Sequence, residues 1–599
     1  MSVLIRTPNG ERRMILPRTI QRENAKRETI ERAKQARAIR DKARAHCGGH
    51  SARSRTRASD AKSRANNIAI FDTETNPFDN TKPDERIVPF LGVIYADEFP
   101  PIVIWNENFV EWLKEVADAF NSLPAPYTIY AHNGGKFDWM FLLSLLSGRV
   151  QFKGSALMRA RYGRHELRDS LHILPVKLSA ISKEEIDYSY FTPELRNQHR
   201  PEITSYCISD CANLLPAIKE FRAEHGDALT IGGAAIKALT RIYPDIGTFG
   251  EATDEYFRHF YFGGRVELIA PKGHYTGAYK LYDINSSYPN AMANYKHPIS
   301  STFDVFTNKP AIRPDTAFIE LECDNRNALL SYDPETNTLT SSVKHGIFHT
   351  TIHEYNMALN LGLISNIKLR RTIDFHEFSD FSKFIIPLYE TRAALKERLE
   401  ATPDDKILQG KSLRTKLLLN NAYGRFAINP RKFKDMELCL LGFEPELEGA
   451  TIHLSCPEYT IYARPALHQK FSNVATAASI TGAARAELML GISRAENPIY
   501  CDTDSIICTA LDMPLDQARL GAWSLEAEFT HVHIAAKKLY AARNAATGKE
   551  KVRAKGANTL TYTDIVDIVD GKSVTKTLNS PTFKADGTQR YLTRTLGAT

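Results

Sequence analysis

The chain has 599 residues, of which 43% are hydrophobic and 25% charged, and its net charge is +7. This composition excludes a disordered or fibrous protein, and the length predicts several domains with separate cores. No apolar run approaches the length of about 18 residues that a membrane helix needs, and the N-terminus lacks a secretory signal, so we expect no membrane partner. The eight cysteines show no zinc-finger or disulfide spacing, which favours free thiols.

The basic charge is concentrated at the start of the chain. Residues 1–66 contain 18 lysines and arginines against 6 acidic residues, so this segment carries +12 and the remainder −5. We interpret it as an extension, helical or disordered, that ends in a Ser/Arg/Ala-rich linker. A nucleic acid partner accounts for such charge. A solubilising extension and a mitochondrial presequence are the alternatives.

After this extension, acidic residues recur with a spacing that predicts chemistry. Asp72 and Glu74 lie two apart in the strand-like NNIAIFDTET, so both side chains face one side. Asp138 follows a Gly-Gly turn, and Tyr206 and Asp210 share one face of a predicted helix. Four such carboxylates can hold two Mg²⁺ ions and activate a water that attacks a phosphodiester.

The segments FDTET, NGGKFD and YCISD resemble the three motifs of DEDD-type 3′→5′ exonucleases. The resemblance implies an RNase H-like exonuclease domain in which Tyr206 orients the attacking water and Lys183 assists the chemistry. It also implies that three residues hold the single-stranded 3′ end of DNA, namely Asn133, Ser170 and Leu171.

A second pair of acids, Asp502 and Asp504, lies in YCDTDSII. On a continuous strand both would project to one side and repel each other unless a cation lay between them. Asp283, at the end of the alternating run AYKLYD, supplies a carboxylate from elsewhere in the chain. If Asp283 and Asp504 face each other, they can bind two metal ions that activate a primer hydroxyl and neutralise a triphosphate.

The segment LRTKLLLNNAYGRFA predicts a helix as far as Gly424. Lys416, Asn420 and Tyr423 occupy positions i, i+4 and i+7 and therefore share one face. Lys416 can reach phosphates, and Tyr423 can lie against a sugar or a base. We predict that this face binds the nucleotide.

The segments DINSSYP, KLLLNNAYG and YCDTDS resemble motifs A, B and C of family B DNA polymerases. The resemblance implies a right-hand polymerase with palm, fingers and thumb, and two Mg²⁺ ions per active site, with Mn²⁺ as an alternative. It implies that Tyr288 excludes the ribose 2′-hydroxyl and that Ser286 also contacts the nucleotide. Asp502 would matter less than Asp283 and Asp504. Ser287 and Asn421 depart from the family pattern, which has leucine and serine at these positions.

Three shorter segments resemble DNA-contacting elements of the same family: YFGG, TGAAR and KKLY. YFGG is similar to the element that joins exonuclease to polymerase, and KKLY to a contact with the primer end. The residues implied are Tyr261, Gly263, Gly264, Thr481, Arg485, Lys538 and Tyr540.

We therefore predict an α/β and α+β multidomain chain. The expected parts are an extension (1–66), an exonuclease domain (67–225), palm and fingers (226–540) with insertions near 300–375 and 429–465, and a strand-rich thumb (541–599). The short N-terminal region and the long interval between motifs B and C resemble the protein-primed branch of the family. That branch implies template and primer DNA, deoxynucleoside triphosphates and a priming terminal protein as partners of a monomer in the cytoplasm of the cell that hosts a phage or plasmid.

Other functions stay open at this point. A polymerase of a mobile element could start without a primer or from a conventional one, and a nucleic-acid-binding scaffold could retain the fold after its active sites decayed. The presence of all seven expected carboxylates argues against decay. The basic arm could hold template DNA, bind the priming protein or be a short fused primer domain.

Overall fold

The computed structural model describes residues 3–6, 12–15, 67–77, 87–178, 181, 184–308, 310–403, 405–456, 458–466, 471–557, 559–583 and 589–597. Most of the basic extension and Lys183 lie outside these described residues. The chain divides into two compact units. The first comprises residues 1–229, 433–467 and 581–591, and the second comprises residues 230–432, 468–580 and 592–599.

The first unit is organised around a ten-stranded mixed sheet. The strands, in spatial order, are Thr451–Ser455, Tyr459–Pro465, Lys434–Leu440, Gly148–Lys153, Ala156–Tyr162, His165–Asp169, Thr128–Ala131, Ile68–Thr75, Pro89–Ala96 and Phe99–Trp105. The strand Thr128–Ala131 runs parallel to both of its neighbours, and the other pairs are antiparallel. The helices of the first unit are Phe109–Ser122, Asp138–Phe141 and Arg200–His225.

The core of this unit forms because apolar residues recur at helical spacing opposite the sheet. In Phe109–Ser122 the buried side chains include Trp112, Val116 and Phe120, four residues apart. Asn108 caps this helix by accepting from two backbone N–H groups. Phe71 of the central strand contacts Trp112 and Phe120 edge-on or tilted, so helix and sheet share one aromatic core.

Residues 433–467 join this sheet although they follow motif B in the sequence. Leu438 and Met436 pair with Gly148 and Val150, and the strands Lys434–Leu440, Tyr459–Pro465 and Thr451–Ser455 continue the sheet outward. Most of the segment predicted as a second insertion of the polymerase part is therefore located in the first unit.

The second unit contains a seven-stranded antiparallel sheet. The strands, in spatial order, are Val266–Leu268, Tyr500–Asp502, Ser505–Cys508, Gly273–Ile284, Trp523–Ala536, Leu539–Asn544 and Glu550–Ala554. A four-stranded antiparallel sheet lies within the range predicted as the first insertion, with the order Phe303–Thr307, Ile364–Phe375, Thr316–Asn325 and His345–Thr351. The helices of the second unit are Ile231–Ile242, Glu251–Arg258, Ser287–Asn294, Ile352–Asn360, Ser382–Ala401, Lys406–Phe426, Val474–Ser493 and Tyr562–Val569.

The helix Val474–Ser493 is the buried centre of this unit. Its sequence, VATAASITGAARAELMLGIS, is rich in small residues, and most of them are buried. A side chain at Gly482 would place its Cβ 2.2 Å from the Thr351 hydroxyl oxygen, so only glycine allows this approach. The helix therefore packs closely because it carries little side-chain volume.

The C-terminal region differs from its prediction. The stretch TYTDIVDIVDG looked strand-like, but Tyr562–Val569 is a helix that buries Ile565 and Ile568. Thr561 and Asp564 form a capping box, which satisfies backbone N–H groups at the helix start. The prediction was wrong for this first part because the apolar residues follow a spacing of three, and because Thr561 is an N-cap rather than a strand residue. The residues that follow do form a strand, Val574–Phe583, which pairs with the strand Gln589–Leu596.

The described residues contain seven cysteines, all of them free thiols. In this same part of the chain we find no helix that is long and apolar enough to span a bilayer.

Candidate active sites

The first unit brings together the acids predicted for an exonuclease. Glu74 and Asp72 lie on one strand with their side chains on the same side, as expected, and Thr73 between them is buried. Thr73 donates a hydrogen bond to Asp138 at 2.6 Å. Burial and the charge of Asp72 raise the pKa of Asp138 well above its usual range. A nearby cation would stabilise the charged form of this carboxyl group, and a metal ion would supply that cation.

Tyr206 and Asp210 lie one turn apart on the helix Arg200–His225, as predicted. The Tyr206 hydroxyl is 3.3 Å from that of Tyr188. Burial, this hydrogen bond and the negative charge of Glu74 all raise the pKa of Tyr206. The phenol therefore stays protonated beside the acids and can donate a hydrogen bond to an oxygen bound there.

Cys207 is a member of this cluster that the sequence analysis missed. Its Sγ lies 3.6 Å from Asp72 Oδ2. One ligand atom each from Cys207, Asp72 and Glu74 lies within 4.8 Å of the others, a grouping that could hold a metal ion. Its position directly after Tyr206 in YCISD was the available signal, because the next residue of a helix lies only about 100° around its axis.

The turn that carries Asn133 is held by Asp169, which no motif indicated. Asn133 has a left-handed backbone (φ 62°), and the backbone N–H of Gly135 donates to Asp169 Oδ2 at 3.2 Å. Ser170 is fully buried, and its hydroxyl donates to the Ala131 carbonyl at 3.3 Å. Ser170 is therefore engaged within the protein, and its contact with DNA stays a prediction. Asn133 and Leu171 are partly exposed.

In the second unit, YCDTDSII is a hairpin and not the continuous strand that we expected. Tyr500–Asp502 and Ser505–Cys508 pair antiparallel, with Asp502 opposite Ser505. Thr503 has φ 64°, the left-handed backbone that a two-residue hairpin turn needs, and Asp504 completes that turn. The two acids therefore do not share a strand face, and the original explanation for their spacing is wrong.

A lysine accompanies Asp502. Lys538 Nζ lies 2.7 and 3.0 Å from the two carboxylate oxygens of Asp502. The backbone N–H of Lys538 also donates to the Tyr500 hydroxyl at 2.9 Å. Asp502 thus has a fixed cationic partner of its own, and Lys538 is engaged within the protein.

Asp283 and Asp504 line one cavity of about 520 Å³, as predicted for a shared metal site. Asp283 is the next-to-last residue of the strand Gly273–Ile284, and the backbone N–H of Ile284 donates to the Asp504 carbonyl at 2.8 Å. Burial, the charge of Asp504 and that of Glu526 raise the pKa of Asp283 to about 8. Burial and the charge of Asp502 raise the pKa of Asp504 to about 6.

The predicted nucleotide-binding residues line the same cavity. Lys416, Asn420 and Tyr423 all contribute from the helix Lys406–Phe426. The rings of Tyr288 and Tyr423 stack with centroids 3.9 Å apart and planes 24° apart. Tyr288 therefore has a packed position at the cavity wall, which suits a residue that acts by its bulk.

Among the further lining residues that were missed, three come from one helix, namely Tyr389, Arg392 and Lys396. All lie on the helix Ser382–Ala401, and Arg392 donates to the Ser286 hydroxyl at 3.3 Å. Arg392 and Lys396 are four residues apart and face the cavity from one side. This spacing was visible in ETRAALKERLE, but nothing in the sequence distinguished it from an ordinary charged helix face.

Several residues predicted to contact DNA are buried instead. Arg485, 2% exposed, bonds Glu354 through two nitrogens at 2.7 and 2.8 Å and donates to the Gly263 carbonyl at 2.8 Å. Thr481 is fully buried, and Tyr540 packs against Tyr500. The structure therefore shows internal contacts for these three residues, and their contact with DNA stays a prediction.

The YFGG segment contacts the motif C turn directly. The backbone N–H of Thr503 donates to the Arg265 carbonyl at 2.7 Å. A Cβ at Gly264 would lie 2.6 Å from the Thr503 hydroxyl oxygen, whereas one at Gly263 would meet nothing within 4 Å. Gly264 is therefore required by the position of the turn. Tyr261 and Gly263 are at least partly exposed.

The comparisons with known proteins agree with this geometry. Residues 182–438 match the family described as "DNA polymerase type B, organellar and viral". The chain is 37% identical over 574 residues to the "DNA-directed DNA polymerase" of Enterobacteria phage PRD1, an alignment that covers 89% of this chain and 98% of the relative. It is 26% identical over 605 residues to a "Probable DNA polymerase" of Ascobolus immersus, across 84% of this chain and 48% of that protein.

Solved structures show the same fold. Phi29 DNA polymerase in a ternary complex with primer-template DNA and incoming nucleotide matches with a TM-score of 0.66 at 18% identity, covering 89% of this chain and 100% of that chain. The same polymerase complexed with single-stranded DNA matches with a TM-score of 0.65 at 18% identity, with the same coverage. These comparisons give no support to a mitochondrial presequence. The chain belongs to the family B DNA polymerases, and it is a DNA-directed DNA polymerase related to that of a phage.

Proposed function

We propose that this polymerase extends DNA by two-metal phosphoryl transfer, proofreads with a 3′→5′ exonuclease, and copies a linear phage or plasmid genome from a protein primer. The observation that supports synthesis best is the cavity in which Asp283 and Asp504 face the cations Lys416, Arg392 and Lys396. Acids on one side and cations on the other match a triphosphate that is bound through metal ions.

The donor atoms favour Mg²⁺. Asp283 and Asp504 offer carboxylate oxygens, the ligands that Mg²⁺ and Mn²⁺ prefer. Burial and the charges of neighbouring carboxylates raise the pKa of each acid, and bound cations would offset those charges. When bound, the ions would lower the pKa of the primer hydroxyl and neutralise the leaving pyrophosphate.

The remaining cavity residues act on the nucleotide. Lys416, Arg392 and Lys396 hold the phosphates, and Tyr423 supports Tyr288 by stacking. Tyr288 would then exclude a 2′-hydroxyl by occupying its space, as the family resemblance implies. Discrimination by bulk requires a ring that cannot move, and the stacked partner restricts this ring.

The exonuclease proposal is based on the first-unit cluster. Asp72, Glu74, Asp138 and Asp210 would hold two metal ions, and Tyr206 would orient the attacking water. The protonated state of Tyr206 supports this role, because a hydroxyl can donate to a bound water.

The priming mode and the location are inferences from relatedness. We infer a terminal-protein partner, DNA and deoxynucleotide substrates, a monomeric state and action in the cytoplasm of the phage host. The relation to the phage PRD1 polymerase over 98% of that protein supports this reading.

The test uses a 5′-labelled primer on a longer template with Mg²⁺, with and without deoxynucleotides. We expect the Asp504→Ala variant to lose extension but keep shortening, and Asp72→Ala to do the reverse. Asp512→Ala is the matched control, since its side chain is 86% exposed.

Loss of both activities in either single variant would contradict two independent sites. If the wild-type protein leaves the primer unchanged under both conditions, the result would instead favour a nucleic-acid-binding scaffold. Product formed without primer and without any partner protein would show that the enzyme primes itself and does not need a protein primer.

A further inference from the structure

A hydrogen-bonded chain of four side chains lies away from the catalytic cavity, in the second unit. His274 and His533 are directly opposite each other on neighbouring strands, with their Nδ1 atoms 2.6 Å apart. The Nε2 of His274 lies 2.9 Å from Asp570 Oδ1, and the Nε2 of His533 lies 2.6 Å from the Tyr562 hydroxyl. The other nitrogen of each ring is therefore fixed by a partner.

The proton positions along these four hydrogen-bonded side chains leave the two Nδ1 atoms directed at one point. Asp570 accepts from the Nε2–H of His274, so the neutral His274 ring presents a lone pair at Nδ1. When Tyr562 donates to Nε2 of His533, one proton remains between the two Nδ1 atoms. A metal ion in place of that proton would bind both Nδ1 atoms. The displaced proton of His533 would then move to its Nε2, which donates to the Tyr562 oxygen, while the His274–Asp570 hydrogen bond stays as it is.

We propose that His274 and His533 form a binding site for a borderline transition-metal ion such as Zn²⁺, with Asp570 and Tyr562 orienting the two rings. Histidine ligands of metals usually donate their second ring nitrogen to a carboxylate or similar group, and the His274–Asp570 pair has this arrangement. Imidazole nitrogen selects Zn²⁺ over Mg²⁺. The site is thus chemically distinct from the carboxylate cavities.

The geometry requires only a small adjustment. Tetrahedral Zn²⁺ with bonds of about 2.05 Å separates two nitrogens by about 3.3 Å, so the imidazoles must move apart by roughly 0.7 Å. His533 is largely buried, but the His274 side chain is 39% exposed, so the small displacement can take place on its solvent side. Water would complete the coordination. His531, two residues before His533 on the same face, places a third imidazole with its centroid 6.3 Å from that of His533.

The charges around the site are mixed. Arg543 lies over the Tyr562 ring at 5.0 Å and disfavours a cation, but it is paired with Glu550 at 3.3 Å. Asp570, at the end of the helix Tyr562–Val569, contributes a negative charge on the other side. A bound ion would connect this helix to the central sheet through Asp570 and Tyr562, so we expect it to stabilise the C-terminal region.

The test titrates the metal-free full-length protein with Zn²⁺ and follows its thermal unfolding, and with Cu²⁺ and follows the electron paramagnetic resonance spectrum. We expect Zn²⁺ to raise Tm and Cu²⁺ to show couplings from two imidazole nitrogens. His533→Gln should lose both effects. Asp570→Asn, a change at a 46% exposed side chain that should not affect folding, should weaken Zn²⁺ binding about 10–100-fold.

The matched control is His345→Gln. His345 also bonds a carboxylate, Asp324 at 2.8 Å, and is 58% exposed. This variant should bind Zn²⁺ and Cu²⁺ as the wild type does. Equal Tm shifts and equal nitrogen couplings in the wild type, His533→Gln and Asp570→Asn would overturn the proposal, as would a wild type that shows neither effect.

Discussion

The contact between Gly264 and Thr503 gives a quantitative prediction. An added Cβ at Gly264 would lie 2.6, 2.7 and 2.9 Å from Oγ1, Cγ2 and Cβ of Thr503, whereas ordinary contacts begin at 3.4 Å. In Gly264→Ala the motif C turn must therefore move by about 0.5–0.8 Å. Overpacking of this kind costs about 1–3 kcal/mol of unfolding free energy.

The displacement also moves Asp504, the next residue of the turn. A misplacement of about 1 Å in a catalytic group can lower the rate about 100-fold. We expect Gly264→Ala to lose extension by that order in single-turnover primer extension. Exonuclease activity should be unchanged, because its residues belong to the first unit.

Two variants serve as controls. Gly263→Ala should behave like the wild type, since its Cβ would meet nothing within 4 Å. Adding Thr503→Gly to Gly264→Ala should restore most of the activity, because it removes the clashing atoms and places glycine at φ 64°. Equal activity of Gly264→Ala and Gly263→Ala would refute the reasoning, and so would failure of the double variant to recover any activity.

The other predictions concern charges. Arg392→Gln and Lys396→Gln should each raise KM for deoxynucleotides about tenfold, because each variant loses a cation that faces the phosphates. Steady-state primer extension measures this KM. An unchanged KM with a lower kcat would show that these side chains do not bind the nucleotide. Lys538→Met should lower extension, because it leaves the Asp502 charge uncompensated, and adding Asp502→Asn should recover part of it; a double variant worse than the single one would contradict this. Because the pKa of Asp283 is raised to about 8, the contribution of this carboxyl to the stability of the metal-free protein is lost as the pH rises from about 4 through 8. Mg²⁺ should therefore raise Tm more at pH 8.5 than at pH 6, and Asp283→Asn should reduce that difference.

The sequence predicted which acids lie together better than it predicted their local geometry. The strand that carries Asp283 and the helix that carries Lys416 are as expected, because alternation and helical spacing extend over whole elements there. The motif C turn was not predicted, since a threonine with positive φ breaks the usual preference of β-branched residues. In this region tertiary contacts override local propensity.

Residues that depend on distant partners could not be predicted. Arg392 donates to Ser286, more than a hundred residues away in the sequence, and no local pattern encodes that contact. Arg485 resembled a DNA contact because of its motif, yet its partner Glu354 lies in another element and buries it. Charge spacing alone does not distinguish a solvated cation from a buried one.

The strand Gly148–Lys153 pairs on one side with residues made much later, Met436 to Leu438. During translation at about 5–20 residues per second, some 290 residues separate the two, so the ribosome needs roughly 15–60 s before the partner strand emerges. In that interval one edge of the nascent sheet has unpaired backbone groups and can bind other strands. Correct folding of the first unit is therefore timed by synthesis of the second, and a chaperone that covers this edge would be needed most while the ribosome is between these two strands.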